Sequence, residues 1–322
     1  MNIPVGPYLK DEIYRPRLVL YLDILGFSHA VENSASNPEQ AKRIVQLLEN
    51  LVAENTTSKE ANETGWLLDF GYRGVRRISM SDSILVSIDA TFDRVDLLKQ
   101  AIFSQGFQFD PFGDMNYYPA YVKHLALSSI LRACTKIQVG LLENGFLSRG
   151  ALTVGSLRQH RGTIVGPAFS KAVRLEKHTK LPVIVLSNEV VKEYLYTWKL
   201  LLQGREYTKT KLKADPRRLD VAATDVWAVA NESEKWVSEV QSCMDCIEIN
   251  RSRRLFNFDG LYIFNFIRLA NAEGYFANKA DVAKLVERER ATLAQGLLGS
   301  LLRRERKKNY TRWSWACRQL GT

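Results

Sequence analysis

Leu18-Val19-Leu20-Tyr21-Leu22-Asp23-Ile24-Leu25-Gly26-Phe27 is a continuous apolar run broken once, by a carboxylate, and turned by a glycine. Apolar residues without polar alternation, bounded by Pro16 and Gly26, read as a strand over Arg17 to Asp23 that is buried on both faces. An acid sits badly inside such a strand. Asp23 is therefore expected where the strand ends, at the rim of a sheet, where a cation or a metal-bound phosphate can hold its charge. A second acid, Asp82, has a similar setting within Ile78-Ser79-Met80-Ser81-Asp82-Ser83-Ile84-Leu85-Val86. Two carboxylates on neighbouring strand ends are what a magnesium or manganese nucleotide site requires.

Working outward, Asn37-Pro38-Glu39 supplies a cap, a first-turn proline and an acid near the positive end of a helix. Ile44, Leu47, Leu48 and Leu51 then recur at helical spacing. Val75 to Ile88 reads as a hairpin, with Ile84, Val86 and Ile88 alternating down its second arm and Asp82 at or near its turn. A loop from Phe107 to Pro119, rich in aromatics, glycine and aspartate, precedes a helix from about Tyr121 to Glu143 closed by Asn144-Gly145. Leu147 to Val154 and Thr163 to Val165 flank a polar turn, Ser156 to Gly162, and predict a second hairpin with His160 exposed in its turn. Pro167 opens a helix to about Thr179, Leu181 to Leu186 is a strand, and Ser187-Asn188-Glu189 caps another helix.

The order β-α-β-β-α-β-β-α-β indicates a mixed α+β or α/β sandwich with helices layered on a sheet face. Beyond residue 200 the pattern weakens: Leu255 to Ile267 fits a returning strand or hairpin, and Ala280 to Leu302 is helical. The expected partition is one compact domain over residues 1–200, with residues 201–322 completing the sheet and adding a helical extension.

The 322 residues carry 46% hydrophobic and 25% charged side chains, an ordinary globular balance that excludes long disorder. The net charge of +10 suits handling of polyanions, but much of it lies in Lys209 to Arg218 and Arg303 to Lys308, which read as solvated faces. The four cysteines, the lack of a signal peptide and the lack of a bilayer-length apolar stretch point to a reducing cytoplasm. Cys243-Met244-Asp245-Cys246 has C-x-x-C spacing without a second pair or nearby histidine, so these read as buried free thiols rather than zinc ligands.

Four segments, Leu22-Asp23-Ile24-Leu25-Gly26-Phe27, Ser81-Asp82-Ser83, Arg149-Gly150-Ala151-Leu152-Thr153-Val154-Gly155 and Gly166-Pro167-Ala168-Phe169-Ser170-Lys171-Ala172-Val173-Arg174-Leu175-Glu176, follow in one order over roughly residues 17 to 186. In that order and spacing they resemble the class III nucleotidyl cyclases, and most of all the pyrimidine cyclases of the bacterial Pycsar antiphage system. The resemblance implies an α+β fold with a ferredoxin-like core, a mixed sheet covered by helices.

It also implies a set of roles. Asp23 and Asp82 would hold two divalent metal ions, manganese or magnesium, with the Ile24 carbonyl as a neutral ligand. Backbone amides from Leu25, Gly26, Phe27 and Ser28 would cradle the β- and γ-phosphates. Arg174, eight residues after Gly166, would stabilise the transition state in the partner's site, which implies a homodimer with shared active sites. Ser170 stands where the family has a ribose-orienting asparagine; serine can donate one hydrogen bond but reaches less far. Independently of the resemblance, Arg76 and Arg77 precede the Asp82 turn, a position from which one of them could face either the triphosphate or base, or solvent, with Arg77 the candidate carried forward. The implied reaction is UTP to cyclic UMP and pyrophosphate for antiviral signalling through a separate cyclic-nucleotide effector. Cyclic CMP production is one alternative, and a silent nucleotide- or partner-binding domain is another. The implied partners are a nucleoside triphosphate and a second copy of the chain, without nucleic acid or a membrane span.

Overall fold

The computed structural model describes residues 14–53, 75–89, 118–160, 163–179, 181–195, 238, 241–250, 261–276, 278–296 and 303–320. The loop expected over Phe107 to Pro119 falls mostly outside these residues, and the basic block Lys209 to Arg218 does so entirely.

The apolar run is the central strand β1 (Arg15–Leu25). It leads into α1 (Phe27–Ser34) and α2 (Pro38–Ala53), then β2 (Val75–Met80) and β3 (Ser83–Asp89). A long helix α3 (Tyr118–Glu143) precedes β4 (Leu147–His160) and the short β5 (Thr163–Val165). After α4 (Pro167–Glu176) come β6 (Ile184–Leu186) and α5 (Asn188–Val190), which continues into a π turn, Val191–Leu195. The chain ends with β7 (Ile247–Asn250), β8 (Leu261–Phe264), α6 (Phe266–Glu273), α7 (Lys279–Gly296) and α8 (Arg303–Leu320).

Among the described residues the strands form an eight-stranded mixed sheet in the order β2-β3-β1-β4-β6-β8-β7, with β5 paired to β4. Within β2-β3-β1-β4 every neighbour is antiparallel, and helices separate β1 from β2 and β3 from β4 in sequence. This is the split βαβ arrangement of a ferredoxin-like core. The fold is α+β, as the element order implied. The sheet becomes mixed at β6, which runs parallel to β4.

Strand parity divides the side chains between two layers. Leu18, Leu20, Leu22 and Ile24 point to one face with Ile84, Val86 and Ile88, and join a large core built with α2 and α3. On the other face Val19, Leu85 and Leu157 form a small cluster with Ala168 of α4. Local signals behave as their chemistry requires. Asn37 Oδ1 accepts from the Gln40 amide at 3.2 Å, capping α2, and the Ser187 side chain accepts from the Val190 amide.

Two expectations change in detail. Ser156 to His160 is strand rather than turn: Leu157 and Gln159 are buried, Arg158 is exposed, and His160 pairs with Thr163. Regular strand geometry after Leu181 is confined to Ile184–Leu186. In α8, Trp313, Trp315, Ala316, Cys317 and Leu320 enter the main core, and Asn265 Nδ2 donates to Gln319 at 2.8 Å. All four cysteines are buried free thiols.

Candidate functional site

β1 delivers Asp23 at the register position opposite Ser83 of β3 and Arg149 of β4. One residue further, the Ile24 amide donates to the Asp82 carbonyl at 2.8 Å, fastening the β2–β3 turn to the end of β1. Ser81, at φ 57°, takes the left-handed conformation in that turn. The two aspartates thus lie on adjacent strand ends at one corner of the sheet, each half-buried.

Gly26 turns the chain from β1 into α1 at φ 79°, a conformation that favours glycine. The first bond back into the helix runs from the Ala30 amide to the Gly26 carbonyl, and no side chain caps the start. The amides of Phe27 and Ser28 therefore open beside Asp23, with the positive end of the helix dipole behind them. Phe27 is buried against the Phe146 ring, centroids 5.9 Å apart, which anchors this turn, whereas Ser28 is exposed.

Asp23 shares a guanidinium. Arg149 Nε and Nη2 both lie 3.3 Å from Asp23 Oδ2, Nη1 donates to the Thr179 carbonyl at 3.1 Å, and Nε also pairs with Glu176 Oε1. The Glu176 side chain is only 4% exposed, against 23% for Asp23. Burial pushes the Glu176 carboxyl above its ordinary range; Arg149 opposes that shift and Asp23 adds to it.

A second network reaches Asp82. Tyr21 Oη lies 2.7 Å from Ser83 Oγ, and Ser83 Oγ donates to Asp82 Oδ1 at 3.3 Å. With the serine proton committed to Asp82, the phenol must donate to the serine. Burial first, and then the charges of Asp23, Glu176 and Asp82, hold the Tyr21 phenol above its ordinary range, while its bond to Ser83 opposes them. The phenol is therefore a proton-bearing donor at neutral pH.

The other expected site residues are distributed differently. On α4, Ala168, Ala172 and Glu176 face the sheet, while Ser170 and Arg174, one turn apart, are exposed on the outer side. Neither is brought to Asp23 of the same chain. Arg77 is not at this corner. It pairs with Val86, whose neighbour on β1 is Leu20, so it lies on the face covered by α2 and α3 and its Nη1 donates to the Leu51 carbonyl at 3.4 Å. Arg76 is on the Asp23 face and donates to the Gln159 carbonyl at 3.0 Å. Sequence reasoning missed Tyr21, Ser83, Arg149 and Glu176 as site residues; the β1–β4 register exposes Arg149, and the Arg149 ion pair brings in Glu176 of α4.

Among the described residues no group of three His, Cys, Asp or Glu side chains forms a ready cation cage. The donor set is two half-buried carboxylates and a backbone carbonyl, all hard oxygens. That fits magnesium or manganese, which bind through one or two carboxylates and complete their shells with water and substrate phosphate. No described helix is long and apolar enough to cross a membrane.

No family model matches the sequence, and no curated protein matches it significantly. Among solved structures, the chain is similar to the crystal structure of a class III adenylyl cyclase-like ATP-binding protein from Pseudomonas aeruginosa. The identity is 12% and the TM-score 0.33, over 74% of this chain and 47% of that one. This chain thus spans just under half the length of that protein.

Proposed function

We propose that this chain is a metal-dependent nucleotidyl cyclase that converts UTP to cyclic UMP and pyrophosphate. The observation that carries the reading is the Ile24 amide to Asp82 carbonyl bond, which fixes Asp82 beside Asp23 next to the uncapped start of α1. Cyclisation removes the proton of the ribose 3′-hydroxyl and forms its bond to the α-phosphorus as pyrophosphate leaves, so negative charge must be held on both oxygens. Asp23, Asp82 and the Ile24 carbonyl would hold divalent cations, which would supply that charge neutralisation when bound.

The remaining work falls to the chain's own groups. The Phe27 and Ser28 amides bind the β- and γ-phosphates. Tyr21 and Ser83 fix the orientation of the Asp82 carboxylate through their hydrogen-bond chain. Arg174, exposed on the outer side of α4, has the reach to serve a second copy of the chain, binding the α-phosphate as charge builds there while Ser170 orients the ribose. The choice of UTP over CTP and the antiphage role follow from the sequence resemblance, and a cytoplasmic setting from the four free cysteines.

Purified protein incubated with each nucleoside triphosphate and manganese should yield cyclic UMP by mass spectrometry, and Asp23→Asn should abolish it. Product from CTP alone would move the base assignment, and no product from any nucleotide would sink the enzyme reading. Ser170, standing where the family has asparagine, keeps a second reading open, a domain that binds nucleotide without turning it over; binding without product in the same assay would select it.

A further inference from the structure

We propose that Arg149 is the positioning residue of this corner, orienting Asp23 for its cation and tying that carboxylate to the helix that carries Arg174. The inference rests on the reading of Asp23 and Asp82 as a cation site. One guanidinium joins three parts of the chain: Asp23 at the end of β1, Glu176 at the end of α4, and the Thr179 carbonyl beyond α4. The Thr179 segment is itself fixed, its amide bonded to the Glu176 carbonyl at 3.2 Å and its Oγ1 accepting from the Leu181 amide at 3.1 Å.

Two details distinguish this from a simple ion pair. Both Arg149 nitrogens meet Asp23 at Oδ2, and among the described residues no hydrogen bond goes to Oδ1, so one carboxylate oxygen is held while the other is left for a cation. The charge count agrees: Glu176 is the buried partner and neutralises Arg149, so the rim retains the net negative charge of Asp23. A cation at Asp23 therefore meets an oriented carboxylate without an uncompensated positive charge behind it. Because α4 is gripped at Glu176, the placement of its exposed Ser170–Arg174 face depends on the same guanidinium.

The expected direction follows from these contacts. Removing Arg149 frees Asp23 to rotate and leaves Glu176 as a buried carboxylate without its counter-charge, so Arg149→Met alone risks misfolding. The double variant Arg149→Met with Glu176→Gln removes both charges together and keeps the volume. Lysine at 149 retains the charge but cannot span three acceptors with one ammonium.

The test is Mn²⁺ titration of the full-length protein followed by electron paramagnetic resonance, with thermal melts as the folding control and hydrogen exchange of the 170–176 amides as a second readout. The folded double variant should bind Mn²⁺ about tenfold more weakly than wild type, the scale on which residues that orient metal ligands act. Arg149→Lys should fall between them, and the rise in protection of α4 on adding Mn²⁺ should vanish in the double variant. Wild-type Mn²⁺ affinity in the folded double variant would overturn the role of Arg149 while leaving the cation site intact. Equal Mn²⁺ binding by wild type, Asp23→Asn and Asp82→Asn would instead overturn the cation site, and this inference with it.

Discussion

Replacing Gly150 by alanine places a methyl group at the tightest point between β1 and β4. A Cβ there would lie 2.2 Å from the Tyr21 carbonyl oxygen, 2.9 Å from Leu22 Cδ2 and 3.1 Å from Ile184 Cδ1. The two side-chain tips can rotate away, but the carbonyl belongs to the β1 backbone. Non-bonded carbons rest about 3.5 Å from their neighbours, so β1 and β4 must part by roughly 1 Å. Overpacking of a core costs about 1–3 kcal/mol, and a clash with backbone belongs at the upper end, about 3 kcal/mol. The movement falls two residues before Asp23 and one after Arg149, so Mn²⁺ binding should weaken together with stability. Gly26→Ala is the internal comparison: nothing lies within 4 Å of its Cβ, and only the left-handed backbone is penalised, at about 1 kcal/mol. Urea unfolding followed by tryptophan fluorescence reads both changes from the midpoint at constant slope. A Gly150→Ala variant within about 1 kcal/mol of wild type would refute the packing argument, as would one less affected than Gly26→Ala.

Burial first, and Lys123 second, lower the His124 pKa to about 3, so this ring is neutral in the fold and takes up a proton on unfolding below about 6.5. Its contribution is complete above pH 6.5 and falls away toward pH 3, with roughly 2 kcal/mol lost by pH 5. His124→Gln should flatten stability between pH 7 and pH 5 in paired melts, and equal acid sensitivity in variant and wild type would contradict this. Arg77→Met should leave nucleotide affinity unchanged in calorimetry; a tenfold affinity loss would return Arg77 to the site. Burial pushes the Cys243 thiol up to about 12 and the Cys246 thiol up to about 11. Native protein at pH 8 should therefore resist a thiol-disulfide reagent until unfolded, and rapid labelling of two thiols would show this pair to be open.

Much of the fold was legible because its signals are local. The run ending at Asp23, the Asn37 cap and the Pro167 helix start each require only a few adjacent residues, and each appears where its chemistry predicts. Asp82 was placed at its turn by the same reasoning. The Arg149–Asp23–Glu176 cluster was not legible in that way, since it needs the β1–β4 register between residues 126 apart in sequence. Arg76 and Arg77 illustrate the same limit at one-residue scale: a shift of one position moves a strand side chain to the other face, and composition does not reveal the parity. The C-terminal helix hid its role differently. Trp313, Ala316, Cys317 and Leu320 recur at helical spacing and are buried, but the charges of Arg303 to Lys308 dominate the stretch before them.

In the proposed cyclase, one copy of the chain supplies the carboxylate corner and the other supplies Arg174. Mixing Asp23→Asn and Arg174→Ala subunits after separate purification tests it, because each is inactive alone and only the mixed dimer contains one intact composite site. Random pairing makes half the dimers mixed, each with one working site of two, so cyclic UMP production should recover to about a quarter of wild type. No recovery from dimers shown to have exchanged subunits, or full activity in either variant alone, would contradict the shared site.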